Sequence, residues 1–138
     1  MRVTPDTNVI VSAALWGGNP RRVVDAARDG FLDFYTSGEL LGELIDVITR
    51  ERFAKQFATL DFTAQDVIDE FIELAIVIEA PSIEPFVIRD PDDDAVIACA
   101  VASQSDVIVS GDKDLLDLGG YKDIRILKAI ELLTEIGL

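Results

Sequence analysis

The chain has 138 residues, 49% of them hydrophobic, and a formal net charge of −14 from 26 acids against 12 bases. Its size fits one domain, 1–138, with material for a core; no apolar run nears the ~18 residues of a membrane span, and Asp6 and Asn8 interrupt the N-terminus too early for a signal segment, so a soluble, cytoplasmic protein is expected. The lack of any His excludes Ser/His/Asp and Cys/His triads and histidine-ligated metals, lone Cys99 excludes a disulfide framework or a Cys-based zinc site, and the acidity argues against a broad nucleic-acid-binding surface but not against acids neutralised by a divalent metal.

Residues 2–5 read as a short first strand ending at Pro5, which has no N–H to give to a ladder. A helix follows from Thr7 and is interrupted at Gly17-Gly18-Asn19-Pro20. Pro20 suits the first turn of a second helix, running to about Asp29 with Gly30 as its stop. Residues 32–36 read as a second strand. Ser37 is a good N-cap for a helix carrying Leu40, Leu41, Leu44, Ile45 and Ile48 at helical spacing. Residues 50–60 look like a further short helix or a turn of basic character. Thr63 caps a long helix through Leu74, the β-rich run 76–78 is a strand, and residues 81–85 are a loop.

Asp90-Pro91-Asp92-Asp93-Asp94 then precedes a helix of small residues suited to close packing on a sheet. Residues 106–110 are a continuous β-branched run and the clearest buried strand. It stops at Gly111-Asp112-Lys113-Asp114. Residues 124–127 form a last strand and 128–136 a last helix. Strands alternating with helices argue for a mainly parallel sheet covered on both faces, a three-layer α/β/α fold.

Acids stand at four places along this pattern. Asp6 closes the first strand, where it is either a helix cap or a site residue, and can be both. Glu39 and Glu43 share a helix face; Glu43, between Leu41, Leu44 and Ile45, borders the buried stripe, and Glu39 is nearly as good a candidate on pattern alone. Helix-dipole stabilisation accounts for one or two of Asp92, Asp93 and Asp94, but not for three in a row plus Asp90. Adjacent carboxylates repel, which a metal or simple solvation relieves. Asp112 and Asp114 follow the most buried strand, in the kind of position Asp6 occupies. In a parallel sheet the strand ends share one edge, so Asp6 and Asp112 can meet. Carboxylates are hard ligands suited to Mg²⁺ or Mn²⁺, ions that activate water and stabilise charge on phosphate.

The blocks Asp6-Thr7-Asn8, Ser37 to Glu43, Asp90 to Asp94 and Val109 to Leu116 occur in the order found in the PIN-domain family, and the chain resembles the small prokaryotic PIN proteins that are toxins of toxin–antitoxin pairs. The resemblance covers essentially the whole chain. It implies a Mg²⁺- or Mn²⁺-dependent endoribonuclease with an acidic quartet of Asp6, Glu43, Asp93 and Asp112, supported by Asn8 and Ser110. Asp6, Asp93 and Asp112 would be metal ligands, with Asp94 an alternative to Asp93 and Asp114 a further ligand. RNA contacts are expected from Arg21, Arg22, Arg50, Arg52, Lys55 and Lys113. An antitoxin protein and a homodimer are the partners the resemblance implies. Pro5 departs from the aliphatic residue usual before the first Asp. Phosphoaspartyl phosphatases would need Asp-x-Asp where this chain has Asp6-Thr7-Asn8, and receiver domains a single central phosphoacceptor. The remaining alternative is a PIN-like binding module regulated by protein partners that has lost turnover.

Overall fold

The computed structural model describes residues 1–80 and 91–138, for 91 and 92 the backbone alone. The expected loop at 81–85 and the carboxylates of Asp90 and Asp92 therefore lie outside the described residues. In chain order the elements are β1 (Arg2–Pro5), α1 (Thr7–Leu15), α2 (Gly18–Arg28), β2 (Asp33–Ser37), α3 (Gly38–Ile48), a 3₁₀ turn (Glu51–Phe53), α4 (Ala54–Ala58), α5 (Ala64–Leu74) and β3 (Ala75–Ile78). There follow α6 (Pro91–Ala102), β4 (Val107–Val109), α7 (Lys113–Leu118), β5 (Gly120–Tyr121), β6 (Ile124–Leu127) and α8 (Ala129–Glu135).

The strands form one sheet in the order β3-β2-β1-β4-β6-β5, parallel except where β5 meets β6. The chain steps outward from β1 to β2 to β3. It then returns through α6 to β4 on the other side of β1. The strand order therefore reverses between β1 and β4, and in such sheets the carboxyl ends at the switch point open a crevice for ligands. Pro5 pairs with Val109 at the last rung, and the Asp6 N–H donates to the Val109 carbonyl at 2.9 Å. Pro5 thus ends the strand without shifting the residue after it.

Side chains alternate across the pleat, and the alternation sorts the core into two layers. Val3, Phe34, Val107 and Val109 face α1, α2, α3, α5 and α8. Ile108 and Ile126 face α6 and α7, where Val96, Ile97, Cys99, Ala100 and Leu115 are almost entirely buried. The small residues of α6 let it pack on β1, β2 and β4. Burial pushes the Cys99 thiol up to about 11, which leaves it a packing residue rather than a nucleophile. Beside it the Thr4 and Ser105 hydroxyls bond at 2.9 Å, and Ser103 to Ser105 at 2.7 Å, so these buried polar groups satisfy one another.

Local signals hold where a cap fixes them. The Ser37 hydroxyl accepts from the Leu40 N–H at 3.3 Å, and Thr63 and Asp66 form a reciprocal capping box on α5. Ser37 also ends β2, one residue later than expected, because it still pairs with Ile78. α2 starts two residues before Pro20, since Gly17 and Gly18, at φ 71° and 62°, complete the turn from α1 in the left-handed region. The expected short helix at 50–60 is the 3₁₀ turn followed by α4. β5 has no signal in the sequence. It pairs antiparallel with β6, so closely that a Cβ at Gly120 would lie 3.0 Å from the Ile124 carbonyl oxygen.

Candidate metal centre at the ends of strands one and four

Asp6 occupies the N-cap position of α1 yet makes no capping hydrogen bond there. It is 4% exposed, and its carboxylate accepts instead from the Ser110 hydroxyl at 2.8 Å. The same Ser110 oxygen accepts the Asp112 N–H at 2.9 Å. One buried hydroxyl at the end of β4 thus ties the acid after β1 to the turn that carries Asp112. Asp112 caps α7, its Oδ2 accepting from the Leu115 N–H at 3.2 Å. The two acids, alike in the sequence, therefore differ: the Asp112 carboxylate accepts the amide three residues on, and the Asp6 carboxylate accepts from Ser110.

Burial raises the Asp6 pKa above its ordinary value; the Ser110 hydroxyl opposes this, the Asp112 charge adds to it, and the Thr7 and Asn8 amides favour the charged form. The crowding extends further. Asp93, at the start of α6 and 6% exposed, Asp112, half-buried, and Asp114, exposed, each offer a carboxylate oxygen, all within 4.8 Å of one another. Among the described residues no Lys or Arg forms an ion pair with Asp6, Asp112 or Asp114. Helices α1, α6 and α7 begin beside these acids, and their positive ends offset part of the repulsion. A divalent cation with a taste for carboxylate oxygen fits what remains.

The structure sorts the expected site residues. Asp93, Asp112 and Asp114 form the tight set, so Asp114 moves from a marginal ligand to a member. Asp6 stands next to the set through Ser110 and Asp112 rather than in it. At the 93/94 choice, Asp93 belongs to the set and is buried, while Asp94 is half-buried and outside it. Glu43 is half-buried and Glu39 exposed, on a helix that packs against both α1 and α6; Glu43 too is outside the three-carboxylate set. Asn8 is exposed at the start of α1.

A groove of about 610 Å³ opens over these strand ends, lined by Asn8, Ser12, Asn19, Ser110, Asp112, Lys113 and Lys128 among others. Of the six expected RNA-contacting bases, Lys113 alone lines it, with its ammonium 2.6 Å from Asp117. Arg21 is bound to Asp25 and Glu70, at 3.2 and 3.1 Å, beside a separate apolar hollow of 370 Å³ between α1, α2 and α5. Arg22 donates to Asn19 and to the Leu138 carbonyl, and Arg50 pairs with Asp46. Arg52 and Lys55 are exposed around the 3₁₀ turn and α4. Sequence reasoning passed over Ser12, Asn19 and Lys128 as site residues. The available signal was position, since Lys128 follows β6 as Asp6 follows β1.

No curated protein sequence matches the chain. The chain shares its fold with one from the crystal structure of VapBC2 from Rickettsia felis bound to a DNA fragment from their promoter. The TM-score is 0.64 at 14% identity, over 93% of this chain and 98% of that one. The family model of the PIN domain matches residues 2–114, which span every acid of the cluster from Asp6 to Asp114. With the sheet order, the strand-end acids and this match in agreement, the chain belongs to the PIN-domain family.

Proposed function

We propose that the protein is a Mg²⁺- or Mn²⁺-dependent endoribonuclease and the toxin of a toxin–antitoxin pair. The observation that carries the nuclease reading is the convergence of Asp93, Asp112 and Asp114 within 4.8 Å, beside buried Asp6, with no Lys or Arg ion-paired to Asp6, Asp112 or Asp114 among the described residues. The toxin reading is supported by family membership and by the fold shared with the VapBC2 chain. An antitoxin protein would then hold it inactive. Exposed Ile72, Ile76 and Val77 on α5 and edge strand β3 are suited to the homodimer expected for such a protein.

Asp93, Asp112 and Asp114 would hold the ion, with Asp6 at their side. The metal supplies positive charge that activates water and stabilises charge developing on phosphate. Ser110 fixes the carboxylate of Asp6 and the turn of Asp112 at once, so two strand ends keep their relative position. The Leu115 N–H holds one oxygen of Asp112, leaving the other for the groove. Glu43, half-buried on α3, orients the attacking water. Lys113 and Lys128 on the groove wall bind the phosphates flanking the scissile one.

The test is cleavage of single-stranded RNA with Mg²⁺, with Mn²⁺ and with chelator. Metal-dependent cleavage that is lost in Asp6→Asn and Asp112→Asn supports the reading. Cleavage by both variants at the wild-type rate overturns it. Mn²⁺ binding without turnover on any RNA moves the protein to the binding-module reading.

A further inference from the structure

Trp16 is 61% exposed, more than any other large hydrophobic side chain among the described residues. Single exposed apolar residues are ordinary, so the neighbourhood has to decide what this one means. Its ring stands edge-on to Phe53, with centroids 6.0 Å apart and planes at 70°. The Arg52 guanidinium lies 4.7 Å from the centroid of that Phe53 ring. Phe53 is 8% exposed and belongs to the core, so it braces the indole while most of the indole stays in solvent. The adjoining run 50–55 holds three of the chain's 12 bases, of which Arg50 is paired with Asp46, and one exposed acid, Glu51. Arg52 and Lys55 form no ion pair among the described residues. On a molecule of charge −14, a local basic patch built around an exposed indole is complementary to a polyanion with aromatic faces.

The patch is also connected to the acidic centre. Asn8 and Ser12 on α1, and Trp16 just past its end, follow one another at i, i+4 and i+8, the spacing of a helix ridge. Asn8 and Ser12 line the groove that contains Asp112. Trp16 is the C-cap of α1, its N–H donating to the Ser12 carbonyl at 2.9 Å. The nine residues of α1 span about 14 Å, or about four bases stacked at 3.4 Å.

We propose that Trp16, braced by Phe53 with the Arg52 guanidinium over that same Phe53 ring, is a base-stacking platform that grips single-stranded RNA a few nucleotides from the acidic centre. This rests on the nuclease reading for its substrate. It adds a specificity-determining aromatic contact outside the acidic cluster. Stacking is tolerant of base identity, so the platform selects unpaired over paired RNA rather than a sequence.

The chain has one Trp, so its fluorescence reports this site alone. A labelled single-stranded RNA 12-mer is titrated, with Mg²⁺ present, into the Asp112→Asn variant, and both Trp16 emission and label anisotropy are followed. Saturable quenching is expected, with the same midpoint as the anisotropy. Adding Trp16→Ala weakens the affinity about 5- to 150-fold, as removal of one stacked base would, and Trp16→Phe restores part of it. Arg52→Ala lowers the salt dependence of binding, and a duplex of the same sequence leaves the emission unchanged.

Binding that leaves Trp16 emission unchanged, or an affinity that Trp16→Ala does not alter, overturns the platform. If wild-type protein still cleaves RNA in that case, the nuclease reading stands without it. If neither binding nor cleavage of any RNA occurs, both fall. Quenching by a purified antitoxin but not by RNA assigns the surface to a protein and overturns the inference.

Discussion

Replacing Ser110 by Ala removes one oxygen that serves two buried partners, so its cost can be worked from the structure. Ser110 is 1% exposed, and Asp6 is 4% exposed, so water cannot readily replace what is lost. The hydroxyl's bond to the Asp6 carboxylate is charge-assisted and worth about 1.5–3 kcal/mol, and the Asp112 N–H to its oxygen about 0.5–1.5 kcal/mol. Ser110→Ala should therefore destabilise the metal-free protein by about 2–4 kcal/mol at neutral pH. For a domain of this size that is a fall in Tm of roughly 6–16 °C. Ser110→Thr keeps the hydroxyl, and with it the wild-type pH dependence, while the added methyl at this buried position costs about 1–3 kcal/mol.

The pH dependence of this loss has a definite sign. The Ser110 hydroxyl favours ionised Asp6, so its loss raises further a pKa that burial already raises. The wild-type advantage is fully present above the Asp6 pKa and shrinks as pH falls through it. Urea denaturation in chelator at neutral pH and near pH 4 measures both values. A neutral-pH difference below about 0.5 kcal/mol, or one that grows on acidification, would refute the bridging role.

Asp112→Asn should abolish Mn²⁺ binding by calorimetry, and saturating Mn²⁺ should raise the Tm of wild type alone; at 100 times Kd the gain is about 2.7 kcal/mol. Glu43→Gln should lower kcat on RNA by at least about 10-fold, while exposed Glu39→Gln stays near wild type; equal effects would remove Glu43 from the site. Asp6→Asn should stabilise the metal-free protein above the raised Asp6 pKa and remove the fall in stability that wild type shows as pH rises from the ordinary carboxylate value through the raised one, because that is where burying an ionised Asp6 begins to cost. Thr63→Ala, which breaks the α5 capping box, should cost about 1 kcal/mol by denaturation with cleavage unaffected.

Much of this fold is written locally. The β-branched run of β4 can only be buried on both sides, and Val107, Ile108 and Val109 are fully so. Ser37 and Thr63 mark helix starts because a short side chain satisfies an amide three residues on. Pro5 ends its strand because it lacks an N–H. The order of acid-bearing blocks was sufficient to place the chain in its family, because those blocks fall at strand-to-helix junctions.

What the sequence could not determine is which acids are neighbours. Asp6 and Asp112 read alike along the chain; the parallel pairing of β1 with β4 makes one a cap and the other the partner of Ser110. Glu39 and Glu43 share a face, and only packing of α3 against α1 and α6 leaves one exposed and the other half-buried. Asp114 joins Asp93 across 21 positions of sequence because α6 and the turn after β4 start at the same sheet edge. Local hydrogen bonds and propensities act over a few residues and are legible one-dimensionally. Repulsion among carboxylates, and the cation that would relieve it, depend on distances through space, which the crossover from β3 through α6 to β4 sets.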